Sequence, residues 1–192
     1  VLDLLFDVHR EAFVPEKYRA LAFVDMEIPL GHGEVMLAPK MEARMLQELA
    51  VKPSERVLEV GAGSGYFTAL LARRAASVTS VEIVPELAAF GRANLAASGI
   101  NNVELHVGDA VRGWQTGGAY DVIALTGSVR DAPQALIAQL KPGGRLIAVV
   151  GSAPIMRATL YTATGQGTHV RVVFDTVIPP LRDAALKPQF VF

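Results

Sequence analysis

Read from its N-terminus, the chain first shows apolar residues at helical spacing: Leu2, Leu5 and Phe6 predict a short helix over 2–8, ending before a turn at Phe13-Val14-Pro15. Ile28-Pro29-Leu30-Gly31-His32-Gly33 follows neither period and predicts an irregular loop, after which Pro39 opens a helix with the apolar face Met41, Met45, Leu46 and Leu49. From Arg56 the pattern changes. Short aliphatic runs at 57–60, 77–82, 103–107, 122–125 and 146–150 alternate with helical stretches at 67–74, 85–98 and 133–140, and Gly99 and Gly143 sit where helices should stop. This alternation is the pattern of successive βαβ units and predicts five parallel strands with helices on both faces. After Gly151, runs at 158–164 and 170–177 flank Gly165-Gln166-Gly167 and predict an antiparallel β-hairpin at one edge. The expected fold class is therefore α/β: a doubly wound, mostly parallel sheet with a C-terminal hairpin.

Composition narrows the picture. With 192 residues, 51% of them hydrophobic, and no linker or repeat, a single core is expected. A formal net charge of −1 offers no broad positive field, so nucleic acid is not an expected partner. Apolar runs such as 146–150 stop far short of the roughly 20 residues a membrane helix needs, so no membrane span is expected. No cysteine is present, which removes disulfides, thiolate nucleophiles and Cys-type zinc sites. With no secretory signal read at the N-terminus, a cytoplasmic enzyme is expected. His9, His32, His106 and His169 lack metal-ligand spacing, and no metal is expected.

The strongest local signal is Leu58-Glu59-Val60-Gly61-Ala62-Gly63-Ser64-Gly65-Tyr66, between the first core strand and its helix. Closely spaced glycines let a ligand approach the backbone at the carboxyl end of a strand, but the spacing departs from the Gly-x-Gly-x-x-Gly of dinucleotide sites. S-adenosylmethionine carries an amino-acid end in place of a pyrophosphate, and Glu59 is placed either to meet its ammonium or to cap a neighbouring turn. Glu82 closes the second core strand, about 20 residues beyond the loop, where a carboxylate can accept ribose hydroxyls. Helix-dipole stabilisation ahead of Pro85 is its plainer role. Asp109 in Gly108-Asp109-Ala110 either approaches an adenine amino group or forms a turn. Tyr66 and Ile83 are apolar walls of the site or members of the core. Trp114 has the same two readings.

Beyond the glycine loop, Arg10-Glu11-Ala12-Phe13-Val14-Pro15, Ile28 to Gly33, Gly108-Asp109 followed by Gly113-Trp114, and Gln139-Leu140-Lys141-Pro142-Gly143-Gly144-Arg145-Leu146 resemble the protein-L-isoaspartate O-methyltransferase family over nearly the whole chain. That resemblance implies a class I methyltransferase using S-adenosyl-L-methionine, with S-adenosyl-L-homocysteine as product. It implies methylation of the α-carboxyl of L-isoaspartyl residues in a protein or peptide, leading to repair through a succinimide. The cofactor residues it implies are Glu59, Gly61, Gly63, Ser64, Gly65, Tyr66, Glu82, Ile83, Asp109 and Ala110. One domain over 1–192 follows: cap and substrate loop at 1–55, cofactor-binding core at 56–151, hairpin and tail at 152–192.

The substrate loop departs from the family pattern. After Gly-His-Gly the family continues with Thr-Ile-Ser, whereas this chain has Glu34-Val35-Met36-Leu37-Ala38-Pro39, so Val35 and Leu37 stand at the hydroxyl positions and donate no hydrogen bond. The expectation is weak transfer to isoaspartyl peptides, and a second acceptor class stays open: a more apolar small molecule or peptide. A cofactor-binding module without transfer activity is the third reading. Candidates beside the acceptor are His32, Thr126, which the family also has, and Ser128, which either supplies a hydroxyl or caps its loop. Ile178-Pro179-Pro180-Leu181 reads as a chain turn.

Overall fold

The chain's computed structural model describes residues 2–114 and 118–182. The expected tail over 183–192 lies outside them. Side-chain alternation along β3 (Arg56–Val60) decides how the layers stack. Val57 joins one apolar cluster, while Leu58 and Val60 join another on the opposite face. The cap that covers the first face begins with α1 (Leu2–Asp7) and two short 3-10 turns at Arg10–Phe13 and Glu16–Leu21. A small antiparallel hairpin, β1 (Ile28–Gly31) and β2 (Glu34–Met36), replaces the expected irregular loop. It forms because Gly31, His32 and Gly33 all take positive φ, a tight reversal that sequence periodicity does not reveal.

Pro39 opens α2 (Pro39–Leu49) as expected, and Met41, Met45, Leu46 and Leu49 are all buried. Each such side chain stabilises the fold by about 1.5–3 kcal/mol through removal from water. The end of α2 is tied to the sheet by Arg145. Its guanidinium donates to the Leu49 and Ala50 carbonyls of the last turn and pairs with Glu55 at 2.8 Å, satisfying acceptors that the helix leaves open.

The remaining elements are α3 (Tyr66–Ala72), β4 (Ser77–Glu82), α4 (Pro85–Ala97), β5 (Val103–Val107), β6 (Tyr120–Val129), α5 (Gln134–Ile137), β7 (Leu140–Ser152), β8 (Ile155–Thr164) and β9 (Gly167–Asp175). The seven-stranded sheet has the order β5-β4-β3-β6-β7-β8-β9, parallel from β5 to β7 and antiparallel from β7 to β9. The five parallel strands and the terminal hairpin agree with the expectation. Helices lie on both faces but unequally: α2, α3 and part of α4 cover one cluster, whereas α5 and the Trp114 segment cover the other. The helix expected over 133–140 is only α5, because the chain rejoins the sheet at Leu140 through a bulge. Gly143 consequently lies within β7 and not at a helix end.

One carboxyl is enclosed on the helix-rich face. Glu59 is fully buried, and its Oε2 accepts hydrogen bonds from the Thr68 hydroxyl of α3 and the Ser80 hydroxyl of β4, each at 2.5 Å. Its Oε1 has no partner among the described residues. Burial is the dominant influence and pushes this carboxyl up to about 8 from its ordinary 4.5, against the lowering effect of the two hydroxyls. The native state therefore keeps a proton that the unfolded chain releases. The stabilisation is complete below the ordinary value and is lost as pH rises through the folded one. Glu59→Gln should remove Glu59's share of this pH dependence, up to about 1.4 kcal/mol per pH unit. Urea denaturation of both proteins at pH 5 and pH 8 checks this, and equal losses in the two would contradict it.

Candidate functional site

At the carboxyl ends of β3, β4, β5 and β6 the structure opens a cleft. Its floor depends on Gly61, which has φ +97 and whose added Cβ would fall 2.4 Å from the Thr126 hydroxyl. No larger residue lets the turn after β3 pass so near β6. Glu82 ends β4 just before the proline that starts α4. Its two oxygens accept the N–H groups of Gly63 at 2.8 Å and Val84 at 2.9 Å. One carboxylate thus pins both the glycine loop and the entry to α4, while it also lines the cleft. Asp109 accepts the Val111 N–H at 2.9 Å in a turn that holds Gly108, Asp109 and Ala110 along the wall, where Ile83 joins them.

Other residues expected at the site lie around the cleft and not on its lining. Glu59 sits beneath the loop with Thr68 and Ser80, where it binds β3, α3 and β4 together. Gly65 has φ +83, and an added Cβ would come within 3.0 Å of the Gly91 carbonyl, so it sets the approach of the loop to α4. Ser64 borders an adjoining recess of about 300 Å³ shared with Glu42, and its carbonyl accepts the Asn94 amide at 2.9 Å. Tyr66 belongs to the core. Its ring meets Phe13 edge-on at 5.5 Å and lies 4.7 Å from the Arg10 guanidinium. Burial, with Glu42 nearby, pushes its hydroxyl up to about 12. Trp114 is an anchor: its ring packs behind Gly108, and its backbone exchanges two hydrogen bonds with the Gln139 side chain.

The cleft's outer wall comes from β2 and the segment after β9. Glu34, Val35 and Leu37 line it from one side, and Pro179, Pro180, Leu181 and Arg182 from the other. Arg10 holds the first wall. It donates to the Leu37 carbonyl at 2.6 Å, to the Ala22 carbonyl at 2.8 Å and to the Glu42 carboxylate. Burial pushes the Glu42 carboxyl up to about 8, with Arg10 acting in the opposite sense. Ser128 holds the second wall: its backbone pairs with Pro179 and Leu181, and its hydroxyl donates to the Ile178 carbonyl at 3.2 Å. That buried hydroxyl does not reach the cleft. Thr126 does line it, with its hydroxyl 2.5 Å from the Gly61 carbonyl and 3.0 Å from that of Val60. His32 is exposed at the β1–β2 reversal, and its backbone carbonyl, not its ring, accepts from Arg182. Sequence reasoning missed the wall over 179–182. The Pro-Pro pair signals rigidity but does not say what it covers.

The comparisons with known proteins agree with this architecture. A family model described as "Protein-L-isoaspartate(D-aspartate) O-methyltransferase (PCMT)" matches residues 1–178. A protein-L-isoaspartate O-methyltransferase 1 of Anaeromyxobacter sp. (strain Fw109-5) is 46% identical over 155 residues, covering 80% of this chain and 73% of the relative. The one from Rhodopseudomonas palustris (strain HaA2) is 45% identical over 152 residues, covering 79% of this chain and 62% of the relative. A Plasmodium falciparum structure described as a beta-aspartate methyltransferase, solved with S-adenosyl-L-homocysteine, superposes with a TM-score of 0.82 at 23% identity. That superposition covers 94% of this chain and 88% of the other. By the family model and these relatives, the chain belongs to the protein-L-isoaspartate (D-aspartate) O-methyltransferase family.

Proposed function

We propose that the chain transfers a methyl group from S-adenosyl-L-methionine to a carboxylate oxygen of a protein or peptide acceptor, of which an isoaspartyl residue is the family's model. The observation that carries this reading is the convergence of Gly61, Gly63, Glu82 and Asp109 on one cleft at successive strand ends. Open α/β sheets bind cofactors at this place. The residues fit the cofactor. Each Glu82 oxygen, with one backbone N–H already bound, keeps acceptor capacity for a ribose hydroxyl. Among the described residues Asp109 accepts only the Val111 N–H, at Oδ1, which leaves Oδ2 for an adenine amino group. When bound, the cofactor supplies an electrophilic methyl on a positively charged sulfur.

An ionised carboxylate needs no proton removed before it accepts a methyl group. The protein's work is accordingly to align the acceptor and keep water away. Val35, Leu37, Pro179, Pro180 and Leu181 make that side of the cleft aliphatic. This lining favours a second reading, in which the acceptor carboxyl is borne by a more apolar small molecule or peptide. No helix among the described residues is long and apolar enough to cross a membrane.

A labelled-methyl assay with an isoaspartyl peptide, its aspartyl counterpart and a panel of small carboxylic acids tests the reading. Binding of S-adenosylhomocysteine without transfer to any of them would favour a binding module. Glu82→Ala should weaken S-adenosylhomocysteine binding by about 1.5–3 kcal/mol through loss of charged hydrogen bonds, as read by calorimetric titration. Unchanged affinity in a variant that still unfolds cooperatively rejects the ribose assignment. Wild-type turnover of the isoaspartyl peptide should fall well below that of a family member with Thr-Ile-Ser. The double change Val35→Thr and Leu37→Ser should raise it, by roughly tenfold or more if one charged hydrogen bond is restored. A wild-type rate already equal to the Thr-Ile-Ser enzyme would rule out this account of the loop.

A further inference from the structure

A carboxylate acceptor entering this cleft faces an unfavourable balance of charge. The lining carries three carboxyl groups, Glu34, Glu82 and Asp109, and among the described residues a single cationic side chain, Arg182. Arg10, close behind the wall, is buried and engaged by Glu42, the Leu37 carbonyl and the Ala22 carbonyl. Among the described residues no lining side chain offers a free neutral donor either. Val35 and Leu37 present only alkyl groups, Ser128 points its hydroxyl at Ile178, and the Thr126 hydroxyl is turned toward the Val60 and Gly61 carbonyls.

Arg182 is differently placed. Its backbone follows Leu181, whose N–H donates to the Ser128 carbonyl at 2.9 Å, so the strand β6 delivers this side chain to the cleft's rim. The guanidinium spends Nε and Nη2 on one atom, Glu34 Oε1, at 3.0 and 2.8 Å, and Nη2 also reaches the His32 carbonyl. Its Nη1 has no hydrogen-bond partner among the described residues. The geometry is a fork closed on a single oxygen: Glu34 and the His32 carbonyl take the Nε and Nη2 hydrogens, so a second carboxylate finds only Nη1 open and gains a bidentate edge only by displacing Glu34. Both partners keep solvent contact, Arg182 at 42% and Glu34 at 27% side-chain exposure, so exchanging one carboxylate for another meets little resistance. The neighbouring alkyl wall strengthens whichever ion pair forms against it.

We infer that Arg182 receives the acceptor's carboxylate and that Glu34 competes with the acceptor for it, so that the Glu34–Arg182 pair sets carboxylate specificity. This rests on the transferase reading above. Glu34 occupies the guanidinium in the absence of acceptor and links the two walls over the cleft. An acceptor carboxylate displaces it and gains a bidentate partner.

The test uses the full chain saturated with S-adenosylhomocysteine and an end-blocked peptide holding one internal L-isoaspartyl residue. The control is the same peptide with that carboxyl replaced by a primary amide. Calorimetric affinities are compared for wild type, Glu34→Gln, Arg182→Gln and Arg182→Lys. Glu34→Gln should tighten the carboxylate peptide several-fold, and Arg182→Gln should weaken it about tenfold or more. Arg182→Lys should recover part of the loss, because the charge returns without the fork. The amide peptide should bind all four proteins alike, and S-adenosylhomocysteine affinity should be unchanged, which separates acceptor recognition from a collapsed wall. Equal carboxylate affinity in wild type and Arg182→Gln overturns the assignment. So do parallel losses for carboxylate and amide, or the absence of peptide binding in both wild type and Glu34→Gln. In each case tight S-adenosylhomocysteine binding leaves the transferase reading standing. Failure of wild type to bind S-adenosylhomocysteine overturns that reading and this inference with it.

Discussion

The cleft exists because the chain leaves β3 and β6 toward opposite faces of the sheet. After β3 it enters α3 on the helix-rich face, and after β6 it runs to α5 on the other. Two parallel neighbours whose connections diverge cannot close over their own carboxyl ends, and a crevice is left there. The width of that crevice is set by the contact of Gly61 with Thr126, where even a methyl group would collide. Glu82 then holds the glycine loop from the next strand, and the Asp109 turn extends the same wall from β5. Topology supplies the opening, and a few backbone hydrogen bonds give it shape.

The outer wall depends on a different kind of contact. β2 contributes only three residues and, among the described residues, pairs with β1 alone, so its position comes from burial of Met36 and Leu37 in the core together with side chains reaching the Leu37 carbonyl and Glu34. Arg10 does this from within the core, stacked on Tyr66 at the start of α3 and paired with Glu42 on α2. A charge so placed is tolerated only with its donors satisfied, and here every nitrogen has an acceptor. Arg182 does it from the rim, in solvent. The first contact is built to persist and the second to exchange.

That difference gives the aliphatic lining a consistent physical meaning. With Val35 and Leu37 at the two positions this wall presents no side-chain hydroxyl among the described residues, and under the proposed Arg182 assignment discrimination between acceptors rests on charge at the rim and on shape within. Alkyl walls exclude water from the reacting atoms, which sharpens any electrostatic preference at their edge.

Much of this was legible in the chain itself. Short aliphatic runs and helical stretches located all five parallel strands, because burial on both faces of a parallel sheet leaves a strong apolar signature, and Pro39 marked the start of α2. That the glycine loop, Glu82 and Asp109 meet at one cleft was legible because they follow strands at fixed offsets. Tertiary structure alone decided the rest. It turned Glu59 and Tyr66 into the core, shortened the helix before Leu140, and gave the Ser128 hydroxyl to the Ile178 carbonyl and not to the cleft. It also brought Arg182 to Glu34 across 148 positions of sequence. Local periodicity records which face of an element is buried. Which distant element buries it, and which polar atoms that encounter consumes, is settled only when the whole chain packs.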